Sequence, residues 1–435
     1  MINLVQHAAR MFLRNLHRYR VVLLALTIVV GVLVFVLASV LGMRETLRGK
    51  ASRYFAGDIV VLGYAGTGRS LIEHPDAALE AVESARAGSD LHVRAVSRRS
   101  TYYDAQNISL FFAGYWTQQR RLVGVEWERE RPVLESFDFA SGGVPEDGDE
   151  DGALVSSATA EQLNVAVGDP LLIAIRSERG RSNTVELTVR GIFRESSFFG
   201  YTTYIERRSL NRLKEVPEDR INEVGVYLEH PERDEARAAR AVTRALSERL
   251  PTFDVLETRE AYREAAGTPR EQRHYGVVTL DAQLSEITDL LRAVAIIAGV
   301  VIVLFLGIVV VGVGNTYTMI VYERTKEIGT LRALGMQRPR LVALFLLESL
   351  FLGLAGVILG TGVGVGALAA VQAWIEFPGR AWATLFFIGG RLQWTLSAEA
   401  VAGIAVLSVG ASIVGALRSA VRAGFVSPVD ALRHG

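Results

Sequence analysis

Gly66–Ser70 (GTGRS) has glycines and a cation, but not the G-x-x-x-x-G-K-[ST] spacing that wraps backbone N–H groups around phosphates. ATP binding by this chain is therefore not expected. Neither H-E-x-x-H nor G-x-S-x-G occurs, so no zinc-hydrolase helix and no nucleophile elbow is written in the chain. The 7 histidines are scattered without metal-ligand spacing, and His92 and His274 read as surface or hydrogen-bonded structural residues. There is no cysteine, which removes disulfide scaffolds, thiolate metal sites and thiol nucleophiles. Lys+Arg and Asp+Glu balance at 47 each, without the basic excess of a nucleic-acid binder. The expectation is no catalytic residue, no metal site and no directly bound cofactor.

The sequence is organised instead by hydrophobicity, which is unevenly spread. No charged residue falls in Val21–Met43, Ala293–Tyr322, Ser349–Ile375 or the shorter Ala400–Leu417. A bilayer core takes roughly 20 apolar helical residues, so spans are expected at 21–43, 293–322, 341–375 and 400–417. The first run exceeds the roughly 7–15 residues of a signal-peptide core, and is read as a retained span. Arg10, Arg14, Arg18 and Arg20 precede it without an acid. Arg324, Lys326, Arg332, Arg338 and Arg340 separate spans two and three, and Arg418, Arg422 and Arg433 follow span four. The loop 376–399 has only Arg380 and Arg391, offset by Glu376 and Glu399. By the positive-inside rule both termini and 323–340 are cytoplasmic. The expected fold is a membrane protein of four transmembrane α-helices, with a large α+β extracytoplasmic domain, 44–292, inserted between helices 1 and 2. Residues 376–399 form a short outer loop and 418–435 a cytoplasmic tail.

Within 1–20, Leu4, Ala8, Phe12, Leu16 and Tyr19 recur at helical spacing, and His7, Arg10, Arg14 and His17 take another face. This reads as an amphipathic helix in the inner headgroup layer, or as a plain basic flank. In the insert, Val224, Val226 and Leu228 alternate within Asn222–Leu228, as do Val185, Leu187 and Val189, so both stretches predict strands. Ala236, Ala239, Val242, Leu246 and Leu250 predict a helix over Glu232–Leu250. Ser141–Gly152 is acidic and glycine-rich, and marks a loop and candidate subdomain boundary. Leu41, Leu47, Ala51 and Tyr54 extend the first span as a helix, and Leu280, Leu284, Ile287 and Leu291 lead helically into the second. Such helices would be stiff levers, or simply packed helix ends.

Spans one, two and four hold no ionisable residue. Span three has only Glu348, near its cytoplasmic start and within expected reach of water or Arg340. A midplane ion pathway is not indicated. Gly353, Gly356, Gly360, Gly362, Gly364 and Gly366 crowd the third span, with pairs at i, i+4. Small residues let membrane helices approach closely, so a tight helix interface is expected, within the subunit or between subunits. Four spans make a thin bundle, which favours a dimer.

The segment from Tyr322 to Arg340 places Ile328, Leu331 and Leu334 on an apolar stripe among Glu323, Arg324, Lys326, Glu327 and Arg332, with Gly335 as a C-cap. A short amphipathic helix of this kind can press into a groove on a cytoplasmic partner, or be a solvated loop. ERTKEIGTLRALG (Glu323–Gly335), followed by the glycine-rich span, resembles the FtsX-like permease domain of ABC transporters. Ser427–Arg433 (SPVDALR) is similar to that family's P-x-x-A-L-R tail. The basic helix, the first span, Ala56–Val61 (AGDIVV) and Leu163–Asp169 (LNVAVGD) resemble the MacB-type periplasmic core domain.

The resemblance implies a permease subunit with no enzymatic activity of its own, in the inner membrane, paired with a second permease subunit as homo- or heterodimer. A separate cytoplasmic ABC ATPase would bring ATP and Mg and dock on the coupling helix through Glu323, Arg324, Lys326, Glu327, Ile328, Leu331, Arg332, Leu334 and Gly335. Movement would pass to the outer domain by mechanotransmission. Span count and insert size resemble the LolC/LolE lipoprotein-releasing type, which implies lipoprotein cargo and a carrier. Efflux of a drug, peptide or glycolipid with a periplasmic adaptor, and regulation of a cell-wall hydrolase, are the other readings. Leu331→Asp is expected to impair ATPase binding.

Overall fold

A computed structural model describes residues 2–14, 16–66, 69–89, 91–177, 179–195, 198–377, 386–388 and 390–425. The chain begins with α1 (Ile2–Arg14), α2 (Leu16–Tyr54), β1 (Ile59–Gly66), β2 (Arg69–Ser70), α3 (Pro75–Gly88), β3 (Val93–Tyr103), β4 (Ile108–Phe112), β5 (Tyr115–Gln118), β6 (Arg121–Val125) and α4 (Trp127–Leu134). Then come β7 (Phe139–Gly142), β8 (Gly152–Ser156), α5 (Ser157–Leu163), β9 (Pro170–Arg176), β10 (Ser182–Phe193), β11 (Thr202–Glu206), α6 (Arg207–Lys214), β12 (Glu223–Leu228) and α7 (Pro231–Ser247). The remainder holds α8 (Arg259–Gly267), β13 (Arg270–Thr279), α9 (Leu280–Gln283), α10 (Ser285–Glu323), α11 (Thr325–Ala333), α12 (Arg338–Trp374) and α13 (Ala398–Gly424). Two compact units result. A helical unit comprises Met1–Met43, Leu291–Glu376 and Leu392–Gly435, and a sheet unit comprises Arg44–Leu290 and Phe377–Arg391. The helices α2 and α10 each contribute residues to both.

In the helical unit, α2, α10, α12 and α13 are the 4 helices long and apolar enough to cross a membrane among the described residues. Backbone contact is made where side chains are absent. A Cβ on Gly356 of α12 would fall 2.0 Å from Leu26 of α2, one on Gly360 2.5 Å from Val30, and one on Gly364 2.7 Å from the Gly31 carbonyl. Gly353 turns to α13 instead, where a Cβ would lie 3.1 Å from Val409 Cα. Gly362 and Gly366 face open space. The close glycine interface is thus internal to this chain. By contrast the α10 span is almost entirely uncovered, and Ile297, Val303, Leu304, Ile308 and Val311 are each more than half exposed. A helix apolar on all sides suits an apolar surrounding.

The sheet unit is built on 13 strands in one mixed sheet. Its order is β13-β1-β12-β3-β6-β11-β8-β10-β9-β4-β5, with β2 on β1 and β7 on β10. The pairs β8–β10 and β6–β11 are parallel. On one half, α3 and α7 bury Ala81, Val82, Ala239, Val242 and Leu246 against Ile59, Val61, Val224 and Val277. On the other, α5 and α6 bury Leu163, Leu210 and Leu213 against Leu110, Ile173, Leu187 and Val189. The halves are joined by β3. Its residues to Arg99 pair with β12, and Ser100 to Tyr103 pair with β6.

Several expectations change in detail. Both faces of β12 are buried, not one. On α7, Ala236 is exposed, while Asp234 and Glu235 turn inward. Ser141–Gly152 is no boundary between halves, since Asp147 and Asp149 tie it to Arg131 and Arg190. The helix leading to α10 is broken at Leu284, whose backbone (φ −93°, ψ 3°) leaves the helical ladder between α9 and α10. Arg380, the tail Ser427–Arg433, Thr67 and Gly68 of the GTGRS stretch, and the side chains of Leu4, His7, Arg69, Ile287 and Leu291 lie outside the described residues.

Candidate functional site

The segment between α10 and α12 forms α11, entered through Arg324 (φ −100°, ψ 13°). It ends in a Schellman turn. Gly335 (φ +94°) donates its N–H to the Arg332 carbonyl at 3.0 Å, and Met336 donates to the Leu331 carbonyl at 3.1 Å. Only a residue without a Cβ takes that backbone angle cheaply. Leu331 and Met336 both pack on the unit's core.

The expected stripe divides. Ile328 is 2 % exposed and belongs to the core of the helical unit, so it is not a surface for a partner. Leu331 is half-buried, whereas Leu334 is 81 % exposed. Glu323, Lys326, Glu327 and Gly335 are exposed and Arg332 is half-buried. Arg324, expected in the polar surround, is instead 4 % exposed. Its Nη1 donates to Glu348 of α12 at 3.2 Å and its Nε to Glu327 at 2.9 Å. Glu348 thus meets Arg324 rather than Arg340, and it also accepts from the Tyr19 hydroxyl at 3.1 Å. The face left open by α11 is Lys326, Glu327, Thr330, Ala333 and Leu334.

A second cluster lies in the sheet unit, where α2 stops. The last carbonyls of a helix lack intrahelical partners and carry partial negative charge. Here buried guanidinium groups satisfy them. Arg99 donates to the Arg53 carbonyl at 2.8 Å, and Arg121 donates to that of Tyr54. Each arginine is held by a buried acid, Arg99 by Glu130 at 2.7 Å and Arg121 by Glu223 at 2.8 Å. Burial opposes the charge of Arg99, but Glu130 beside it keeps its pKa well above the ordinary value. One helical turn and more before this end, Arg48 gathers Glu235 of α7, Asp281 of α9 (3.0 Å) and Asp58 (3.8 Å). Burial raises the Glu235 and Asp58 carboxyls, with Arg48 opposing that shift in both. Sequence reasoning missed these residues. Their signal was an arginine at an inward strand position, visible only once the register is known.

Among the described residues, no group of three or more His, Asp or Glu side chains converges to hold a metal ion.

The arrangement is matched by known families. The MacB-like periplasmic core domain family matches residues 21–245, just over half of the chain, and the FtsX-like permease C-terminal family matches residues 299–422. An uncharacterised ABC transporter permease of Methanocaldococcus jannaschii is 25% identical over 180 residues, 41% of this chain and 43% of that protein. The ABC transporter permease YvrN of Bacillus subtilis, also uncharacterised, is 29% identical over 164 residues, 38% of this chain and 36% of YvrN. The macrolide export ATP-binding/permease protein MacB of Chlorobium luteolum is 44% identical over 64 residues, 14% of this chain and 10% of MacB. The matched stretches therefore span less than half of each relative. With its apolar helices, mixed sheet unit and both family matches, the chain belongs to the ABC transporter permeases of MacB/FtsX type.

Proposed function

We propose that this permease converts ATP turnover in a separate ABC ATPase into movement of its sheet unit. The observation that carries the reading is the short helix α11, fixed by a Schellman turn, with Leu334 presented outward at its end. An exposed leucine flanked by Lys326, Glu327 and Thr330 suits an apolar groove with a polar rim. The ATPase supplies ATP and Mg. Supporting the transmission step, α2 and α10 contribute to both units, and the end of α2 is seated on paired buried arginines. The membrane is the cytoplasmic one, with both termini inside and the sheet unit outside, as the Arg and Lys distribution favours. The uncovered apolar α10 favours a second permease subunit or lipid around it.

The preferred cargo is a lipoprotein, on the likeness in span count and insert size to the LolC/LolE type. Efflux of a drug, peptide or glycolipid through a periplasmic adaptor is the second reading, favoured by the match to a protein named for macrolide export. Activation of a cell-wall hydrolase is the third. Purification of the intact chain in mild detergent, with mass spectrometry of proteins and lipids, separates them. An acylated protein supports release, an adaptor supports efflux, and a hydrolase supports regulation.

A further inference from the structure

The buried cluster around Arg324 has a consequence for how α11 could do work, and it rests on the ATPase-coupled reading above. Five helical elements converge there. Arg324 enters α11, Glu348 is on α12, Tyr19 on α2, Tyr317 on α10 and Met11 on α1. Arg324 reaches both Glu348 oxygens, at 3.2 and 3.4 Å, and its Nη2 lies 3.4 Å from Met11 Sδ. Its guanidinium stands 5.8 Å from the centre of the Phe345 ring. Glu348 and Tyr317 are 0 % exposed and Tyr19 is 1 % exposed. The Tyr19 ring lies 5.9 Å from that of Tyr317 and 5.6 Å from that of Phe12.

A helix of nine residues is marginal alone and is positioned by what holds its ends. The far end of α11 is held by backbone, through the turn at Gly335. The near end is joined to α10 by backbone, the Arg324 N–H donating to Ile320 and its carbonyl accepting from Ile328, and it is tied to α12 by the Arg324 side chain. A push on α11 reaches α12 and α2 through hydrogen bonds to the Glu348 carboxyl, which are directional. Apolar contacts such as those of Ile328 resist separation but slide more readily. The helix carrying Tyr19 is the same helix that carries Arg48 and ends on Arg99 and Arg121.

We propose that Arg324, Glu348 and Tyr19 form the joint that fixes the coupling helix to α2 and α12, so that ATPase movement is transmitted rather than absorbed. These are positioning residues. They are buried and would touch neither the ATPase nor cargo. Removing the charge of Glu348 should therefore leave ATPase capture in place while losing transmission.

The absence of cysteine allows clean labelling of the full chain. Spin labels at Ser84→Cys, on the exposed side of α3, and at Arg340→Cys, at the exposed start of α12, report the distance between the units. The complex with its ATPase is reconstituted in lipid nanodiscs, using labelled chains diluted in unlabelled ones, and measured without nucleotide and with ATP plus vanadate. The wild type should show a nucleotide-driven distance change. Glu348→Gln should capture the ATPase as the wild type does, yet lose about fivefold or more of the population that shifts. Glu348→Asp, which keeps the charge, should recover part of it. A full shift in Glu348→Gln overturns the joint. Should Glu348→Gln not accumulate in the membrane, Tyr19→Phe decides, because it removes one hydrogen bond and keeps the ring. A reduced shift in Tyr19→Phe supports the joint and an unaltered one overturns it. A wild-type chain that captures no ATPase overturns the functional reading and the joint together. A wild type that captures the ATPase and moves, beside an equally mobile Glu348→Gln, overturns the joint alone.

Discussion

The guanidinium of Arg99 closes on the carbonyl of Arg53 at 2.8 Å, at the point where α2 stops and the sheet begins. The same side chain bonds Glu130 and the Tyr227 hydroxyl, the latter at 2.6 Å, and none of its surface reaches solvent. It stands where β3 changes partner from β12 to β6, so one residue ties both halves of the sheet to the helix end. Arg99→Ala leaves Glu130 buried and unpaired, which costs about 3–5 kcal/mol. The expected result is a loss of about 10 °C in the melting temperature of the full chain in detergent. Arg99→Met with Glu130→Leu should recover much of that stability without restoring the cap on α2. Faster amide exchange at Arg53–Phe55 in the double variant would reveal the missing cap.

The glycines of α12 make a matched test of close helix packing. At Gly360 a Cβ would lie 2.5 Å from Val30 Cβ and 2.9 Å from the Thr27 carbonyl, whereas at Gly362 nothing lies within 4 Å. Gly360→Ala must push α2 and α12 apart and should cost about 1–3 kcal/mol. Gly362→Ala should be neutral or slightly stabilising, since alanine is the better helix former. Thermal unfolding of the two variants side by side checks the difference. Equal stability would place the α2–α12 contact elsewhere.

Glu206 ends β11 and is 8 % exposed, and burial raises its carboxyl from the ordinary value of 4.5 to about 7. Backbone N–H groups of Arg208 and Arg207 and the charge of Arg207 oppose that shift, and the charge of Glu126 adds to it. The folded state thus keeps a proton that the unfolded chain has released. The stability this confers is complete below the unfolded value and is lost as pH rises from about 4.5 to about 7. Glu206→Gln should remove that decline and leave the variant about 2–3 kcal/mol more stable than the wild type at pH 8. Melting temperatures at pH 5 and pH 8 test it. A wild type whose stability does not fall over that interval would contradict the burial argument.

The membrane-length helices were legible because uncharged runs of that length leave few alternatives, and the short helix α11 was legible because an apolar stripe among charges ends at Gly335. Its orientation was not. A stripe of Ile328, Leu331 and Leu334 looks the same whether it faces a partner or its own core, and only packing showed Ile328 inward and Leu334 outward. Glu348 was assigned water or Arg340 by nearness in sequence, yet the turn into α11 brings Arg324 to it across 24 positions. In the sheet unit, alternation located β10 and β12, but not the strand order. Arg121 and Glu223 are 102 positions apart, and no local pattern pairs them. Glu235 illustrates the same limit, since a charged residue on an apolar helix face makes sense only once Arg48 is beside it.

Docking of α11 on an ATPase is tested most directly by capture of an ABC ATPase by the full chain and by two variants of α11. Leu334→Asp puts a charge on the exposed residue, and Ile328→Asp puts one in the core. The wild type should retain the ATPase through affinity purification. Leu334→Asp should accumulate normally in the membrane but bind the ATPase about tenfold more weakly or worse, which is about 1.4 kcal/mol. Ile328→Asp should fail earlier, in accumulation of the chain itself. Undiminished capture by Leu334→Asp, or no ATPase with the wild type, would mean that α11 is not the docking element.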